Sequence, residues 1–354
     1  MNNKIKSFDV ARGFALFLMV HIHIMEECAL PDFTESFYAF IIHLLSSPLT
    51  ASLFVFIMGV FFQISDKPTL KSSIIRGVKL IALGYFLNFI RFTLPVYIAL
   101  NLDLFTLEDI APKTPLSYMR INDILQFAGL ALIFMAFAKR YFKNPLTNLF
   151  LSLIFIAGSP FLWDFTTSNI YLDLVLENFW GDSVYMNFPF FPWIVFPLLG
   201  MTYGAILKKV KDTSRFFLYS FILGVIMVPL GLYLFSLNPE YISLQAIHDF
   251  SVGCTDYDVM IYMIGTILLF IPFCHGLTKY LPSNFIFDRL CYWSKNVTSF
   301  YIIHWILVGW LAMDISDPSS FGSIVLIILI LIATDRLVMS WNGFKQTYKI
   351  NNLI

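Results

Sequence analysis

Charge is the scarce ingredient of this chain: 13% of its 354 residues are Asp, Glu, Lys or Arg, against 58% hydrophobic and 18% aromatic. Soluble domains carry about 25% charged residues, so this chain has too little polar surface to cover a globule in water. The mean hydropathy of +0.75 agrees. Its charges balance to a formal net of +0, and neither a basic stripe nor a nucleic-acid motif occurs, so no nucleic-acid partner is expected. Cysteine is scarce too. Cys28, Cys254, Cys274 and Cys291 form no CxxC pair, so neither a metal site nor a dithiol redox site is expected. Cys28 and Cys254 both fall in outer segments, where a disulfide and two lone packing thiols are both open. No internal repeat and no soluble domain can be found. No cleavable leader is expected, because the first apolar stretch holds Arg12, lacks a small-residue cleavage site and is long enough to stay as a span. A single integral-membrane domain over residues 1–354 is expected.

Apolar runs, by contrast, are plentiful. Ten are long enough to cross a bilayer: 9–26, 48–65, 74–95, 121–138, 146–163, 189–207, 215–236, 258–277, 296–313 and 321–340. The stretch 36–47 precedes Pro48 and is too short to span, which predicts an interfacial or re-entrant segment. With a cytoplasmic N-terminus, all of the 23 Lys and Arg except Arg91, Lys113 and Arg120 fall inside, as the positive-inside rule requires. The expected fold class is therefore an all-α polytopic membrane helix bundle of about ten transmembrane helices, with both termini cytoplasmic. The long connections 27–47, 96–120, 164–188 and 237–257 lie outside, which favours an external substrate.

Ionisable groups inside a span are costly and by default mark a function. The first span carries Asp9 and Arg12 at one end and His21 and His23 at the other. At about 100° per residue, His23 falls within about 20° of the Arg12 face, together with Asp9 and Met19, whereas His21 points to the opposite side. Arg12 and His23 are separated along the axis by roughly 16 Å, about half of a ~30 Å hydrocarbon core. The competing reading lets Arg12 snorkel to inner headgroups and the histidines sit at the outer interface. His304 lies mid-span, eight residues after Asn296, where a neutral imidazole needs a partner; a helix–helix hydrogen bond is the structural alternative. Gln126 is a buried amide, either packing glue or a ligand contact. Asp123 and Arg120 are spaced to bond across one turn. His43, His248 and His275 read as structural or solvated.

These motifs, taken in order, resemble the catalytic membrane domain of heparan-α-glucosaminide N-acetyltransferase and its bacterial relatives, within a wider transmembrane acyltransferase superfamily. "SFDVARGFALFLMV" is similar to that family's first catalytic helix through Asp9, Arg12 and Gly13, and "PLTASLFVFIMGVFFQIS" to its next span. "RGVKLIALG" keeps the Arg76-to-Gly84 spacing, "RINDILQFAG" an Arg-Ile-x-x-x-Leu-Gln stretch, "FPFFPWIVFPLLGMTYGAIL" a Pro-Trp span, and "NVTSFYIIH" the Asn296-to-His304 spacing. The resemblance covers about residues 7–313. It departs at His23. Animal members place Asn there and the catalytic His in the following loop, while the O-acyltransferase branch places a His eleven residues after its Arg.

The resemblance implies transfer of an acetyl group from cytoplasmic acetyl-CoA to an amine or hydroxyl of a sugar or glycan on the outer side. It implies His23 and His304 as catalytic residues, with Asp9, Arg12, Arg76, Lys79 and Asn296 serving the donor and Arg120, Asp123 and Gln126 the acceptor. Direct transfer and an acetyl-histidine intermediate both remain open. The implied setting is a bacterial inner membrane, and a homodimer is allowed. The rival class is a secondary transporter for a small solute, whose inverted repeats and paired broken helices are not found.

Overall fold

The computed structural model describes residues 2–66, 69–142, 144–163, 165–181, 183–237, 255–313 and 319–348. Cys254 and His248 lie outside the described residues, and so does the suggested Cys28–Cys254 pairing. Among the described residues the regular structure is helical, apart from one bridged pair, Asn122 with Met186. The helices of eight or more residues are α1 (Asn2–Cys28), α2 (Phe37–Leu49), α3 (Ala51–Ile64), α4 (Leu70–Asn88), α5 (Leu94–Asn101), α6 (Ile124–Tyr141) and α7 (Pro145–Gly158). They continue as α8 (Ile170–Trp180), α9 (Val195–Lys209), α10 (Thr213–Ser236), α11 (Tyr257–Tyr280), α12 (Phe285–Lys295), α13 (Val297–Leu311) and α14 (Ser320–Thr347).

Eight helical runs among the described residues are long and apolar enough to cross a bilayer, and Pro145–Phe161 and Val297–Leu311 are shorter apolar helices. Together they account for the ten runs read from hydropathy. The chain is an all-α, polytopic integral membrane protein. Residues assigned to the same side meet one another. Lys6 bonds Ser283, Lys208 pairs with Asp66, and Lys139 donates to the carbonyls of Phe62, Gln63 and Ser65 at the inner end. Arg120 meets Glu177, and the Trp310 indole donates to Ile90 O, at the outer end.

The segment before Pro48, too short to span by itself, is helical and continues into the next span. It is the first half of a 28-residue helical run, Phe37–Ile64, broken only at Thr50. Pro48 has no N–H to give Leu44 O, which would leave a bare carbonyl in an apolar setting. The Tyr262 hydroxyl of α11 donates to that carbonyl at 3.2 Å, and Ser52 Oγ and Thr50 Oγ1 satisfy Pro48 O and Ser46 O at 2.7 Å each. The break is thus absorbed rather than forcing the chain out of the bundle.

α1 lies at the centre, packed on α2, α3, α11, α12, α13 and α14. α3 and α9 form another close pair. A Cβ on Gly59 would stand 2.1 Å from Pro197 O, and one on Gly200 2.0 Å from Phe56 O. Lipid is as apolar as leucine, so such helices associate through backbone approach at small residues rather than through burial from water.

Candidate active site

The inner end of α1 is drawn against α12. Gly13 permits this, since a Cβ there would meet Leu290 O at 2.3 Å. Ser294 is thereby placed between Asp9 and Arg12: its hydroxyl donates to Asp9 Oδ1 at 2.6 Å and accepts from Arg12 Nε at 2.8 Å. Arg12 Nη2 reaches Asp9 Oδ1 at 3.3 Å, and the guanidinium lies 5.1 Å above the Phe61 ring. The Arg12 side chain is 17% exposed. It is held inside the protein by a carboxylate and a hydroxyl, not spread toward headgroups.

The outer end of α1 separates its two histidines as helical periodicity predicts. His21 Nδ1 sits 2.8 Å from Phe17 O, its ring 4.2 Å from that of Phe17 and 6.4 Å from Tyr38, and it lines neither of the two cavities described below. His23 faces a cavity. Its ring lies tilted 4.0 Å from Trp305 and stacks 5.5 Å from His304, and its Nδ1 is 3.6 Å from Glu26 Oε2. His304 lies behind it at 0% exposure, with Nδ1 3.1 Å from Phe300 O and Nε2 without a hydrogen-bond partner.

Arg91 completes this end and was read from the sequence only as one of three outer cations. It sits in a π-helical turn, Phe89–Thr93, between α4 and α5. Pro95 has no N–H to return to Arg91 O, so the ladder widens and Leu94 N–H reaches back to Phe89 O. α13 fills the resulting space at Gly309, where a Cβ would stand 2.2 Å from Arg91 O. The Arg91 side chain is 1% exposed. Its Nη2 donates to Asn88 Oδ1 at 3.0 Å and to Asp123 Oδ2, and its plane lies 4.2 Å from Trp305 and 4.4 Å from Phe92. Nε and Nη1 have no partner. Asp123 Oδ2 also accepts from the Tyr301 hydroxyl at 2.8 Å. Buried polar groups are nearly always hydrogen-bonded, and His23 Nδ1, Arg91 Nε and Nη1 and His304 Nε2 are left without a protein hydrogen-bond partner at this end.

Two cavities lie along this axis. The outer one, of about 490 Å³, is lined by Met19, His23, Glu26, Arg91, Lys113 and Asp123 among others. The inner one, of about 320 Å³, holds Arg12 and Arg76. Phe54, Ile124 and Tyr301 line both, so the cavities meet there. Volumes of this order suit small-molecule sites.

The sequence-derived residues divide accordingly. Arg12, Arg76, His23 and Asp123 line the two cavities, with Asp9 held against Arg12 and His304 packed behind His23. Lys79 is exposed on α4 and lines neither cavity. The Asn296 amide donates to Tyr292 O at 2.9 Å and accepts from Asn342 at 2.7 Å, tying α12 and α13 to α14. Gln126 is spent on the start of α6, accepting from Asp123 N–H at 3.3 Å and donating to Ile121 O at 3.1 Å. The expected Arg120–Asp123 contact is not made: Arg120 takes Glu177 at 2.9 and 3.1 Å, because Asp123 turns inward as the N-cap of α6 and meets Arg91. Ser294, Arg91 and Tyr301 escaped the sequence reading. Only Arg91 left a signal, a charge four residues before a proline inside an apolar run. Among the described residues, no group of three or more His, Cys, Asp or Glu is placed to hold a metal.

The fold and site define a class: a polytopic membrane protein with a histidine-lined outer cavity meeting a basic inner one. A family model described as "Heparan-alpha-glucosaminide N-acetyltransferase, catalytic" matches residues 4–236, and the chain belongs to that family. It is a transmembrane acetyltransferase. The match takes in Asp9, Arg12, His23, Arg76, Arg91 and Asp123 and ends before Asn296, Tyr301 and His304. No curated protein and no solved structure matches the chain.

Proposed function

We propose that the chain carries an acetyl group from cytoplasmic acetyl-CoA to an amine or hydroxyl of a sugar on the other side of a bacterial inner membrane. The observation that carries this reading is the junction at Phe54, Ile124 and Tyr301, where the cavity holding Arg12 and Arg76 meets the cavity holding His23. CoA is polyanionic, and guanidinium groups form strong charge-assisted bonds to phosphate. Arg12 and Arg76 are the cations at the inner cavity, and a thin pantetheine arm can follow the α1 face from there toward the junction.

His23 takes the proton of the acceptor N–H or O–H as the nitrogen or oxygen attacks the thioester carbonyl. A bond forms from that atom to the carbonyl carbon, the carbon–sulfur bond breaks, and the proton passes from His23 to the departing sulfur. The products are the acetylated sugar and CoA thiol. Glu26 stands near Nδ1 of His23, which leaves Nε2 to serve as the base. His304, stacked on His23, positions that ring.

The test is a pair of variants on one helix. His23→Ala should abolish transfer from acetyl-CoA by the purified protein, while His21→Ala keeps most of it. Equal loss in both, with normal folding, rejects His23 as the base.

A further inference from the structure

The outer and inner cavities share part of their lining. Their shared wall comes from three separate helices, with Phe54 from α3, Ile124 from the first turn of α6 and Tyr301 from α13. The wall is fixed on two of its three sides. Tyr301 is 5% exposed, with its hydroxyl on Asp123, and Asp123 is held in turn by Arg91. Ile124 is 6% exposed and its N–H is bonded to Asp123 Oδ1 at 2.6 Å, so its backbone cannot shift without breaking the α6 cap. Phe54 is half-buried between the cavities. The two anchored sides do not yield to an added methylene without strain.

We infer that Phe54, Ile124 and Tyr301, where the donor and acceptor cavities meet, set the length of the acyl chain that the enzyme accepts and confine it to acetyl. The inference rests on the reading above, in which the donor reaches His23 from the Arg12 side. A thioester bridging that path places its carbonyl at the junction, with the His23 cavity ahead and the pantetheine arm behind. The acyl substituent then lies against the junction wall. On this reading the methyl group lies beside the Phe54 ring and the Ile124 side chain. Each further methylene must displace an aromatic ring or a latched tyrosine. Discrimination of one methylene in an apolar pocket is worth about 10- to 200-fold.

The experiment uses the full-length protein purified in detergent, with acetyl-, propionyl- and butyryl-CoA as donors. Glucosamine, which offers both an amine and hydroxyls, is the acceptor. Acylated sugar and released CoA thiol are read together. Wild type should prefer acetyl by at least about tenfold in kcat/KM for each added methylene. Phe54→Ala and Ile124→Ala should each lower the acetyl-to-butyryl ratio at least about tenfold, by raising butyryl transfer rather than merely losing acetyl transfer. Tyr301→Phe keeps the ring and loses the latch, and should relax the ratio less than Phe54→Ala. Where Phe54→Ala does not elute as a single folded species, Phe54→Leu supplies the smaller change. A ratio unchanged within twofold in folded Phe54 and Ile124 variants that still transfer acetyl overturns the filter alone. Equal use of all three donors by wild type does the same. A wild type that acylates nothing and releases no CoA thiol from acetyl-CoA overturns the donor reading, and the filter with it.

Discussion

Replacing Arg91 by glutamine removes a guanidinium that is 1% exposed from beside a carboxylate that is 8% exposed. Breaking a buried pair by removing one partner costs about 3–5 kcal/mol, because the remaining charge is left uncompensated. Two corrections apply. Stacking of the cation at 4.2 Å on Trp305 and 4.4 Å on Phe92 is lost, a further cost of about 1–2 kcal/mol for a desolvated cation–π contact. Against that, two buried donors without partners, Nε and Nη1, disappear, which returns about 1 kcal/mol or more. The corrections roughly cancel, so Arg91→Gln should destabilise by about 3–5 kcal/mol. Asp123→Asn preserves an N-cap side chain for α6 but strands Arg91, at a similar cost. The double variant removes both charges and should be more stable than the sum of the singles predicts by at least about 2 kcal/mol. Unfolding of the purified protein by denaturing detergent, followed by circular dichroism, measures all four corners of the cycle. A single variant costing under about 1 kcal/mol, or a double equal to the sum, would refute the claim that these charges hold each other in the bundle.

Three further outcomes are expected. Arg12→Ala should raise KM for acetyl-CoA far more than KM for the sugar, since Arg12 lies at the inner cavity; the reverse pattern in steady-state kinetics counts against its role at the donor. In vesicles of known orientation, acetyl-CoA confined to the face bearing the Lys139 and Lys208 loops should acetylate a sugar presented only on the other face. A requirement for both on one face, read by mass spectrometry of the sugar, rejects transfer across the membrane. Gly59→Val should separate α3 from α9, where a Cβ would stand 2.1 Å from Pro197 O, and cost about 1–3 kcal/mol of overpacking in the same unfolding assay.

How much of this was legible in sequence differs by residue. Helical periodicity alone placed Met19 and His23 on one face and His21 on the other, and the cavity lining bears that out. It works because a helix is rigid over a few turns and its side chains follow a fixed angular step. Hydropathy placed the spans for the same kind of local reason, since lipid accepts only apolar, internally bonded segments. At Pro48 local chemistry shows the break near Thr50 and the freed carbonyl of Leu44, but not what satisfies it. The remedy comes from Tyr262, 218 residues along the chain from Leu44.

The sequence by itself thus determined the class, the spans, the alternation of basic and polar ends, and the two faces of the first helix. The tertiary structure alone decided which polar groups face one another. Asp9 finds Ser294 across 285 positions, and Asp123 finds Tyr301 across 178. It also turned Asp123 inward to Arg91, sent Arg120 to Glu177 and spent Gln126 and Asn296 on local and interhelical bonds. The physical reason is that helix formation depends on a few neighbouring residues. The partner a side chain meets depends on where glycines let backbones approach and prolines free a carbonyl, summed over the whole bundle.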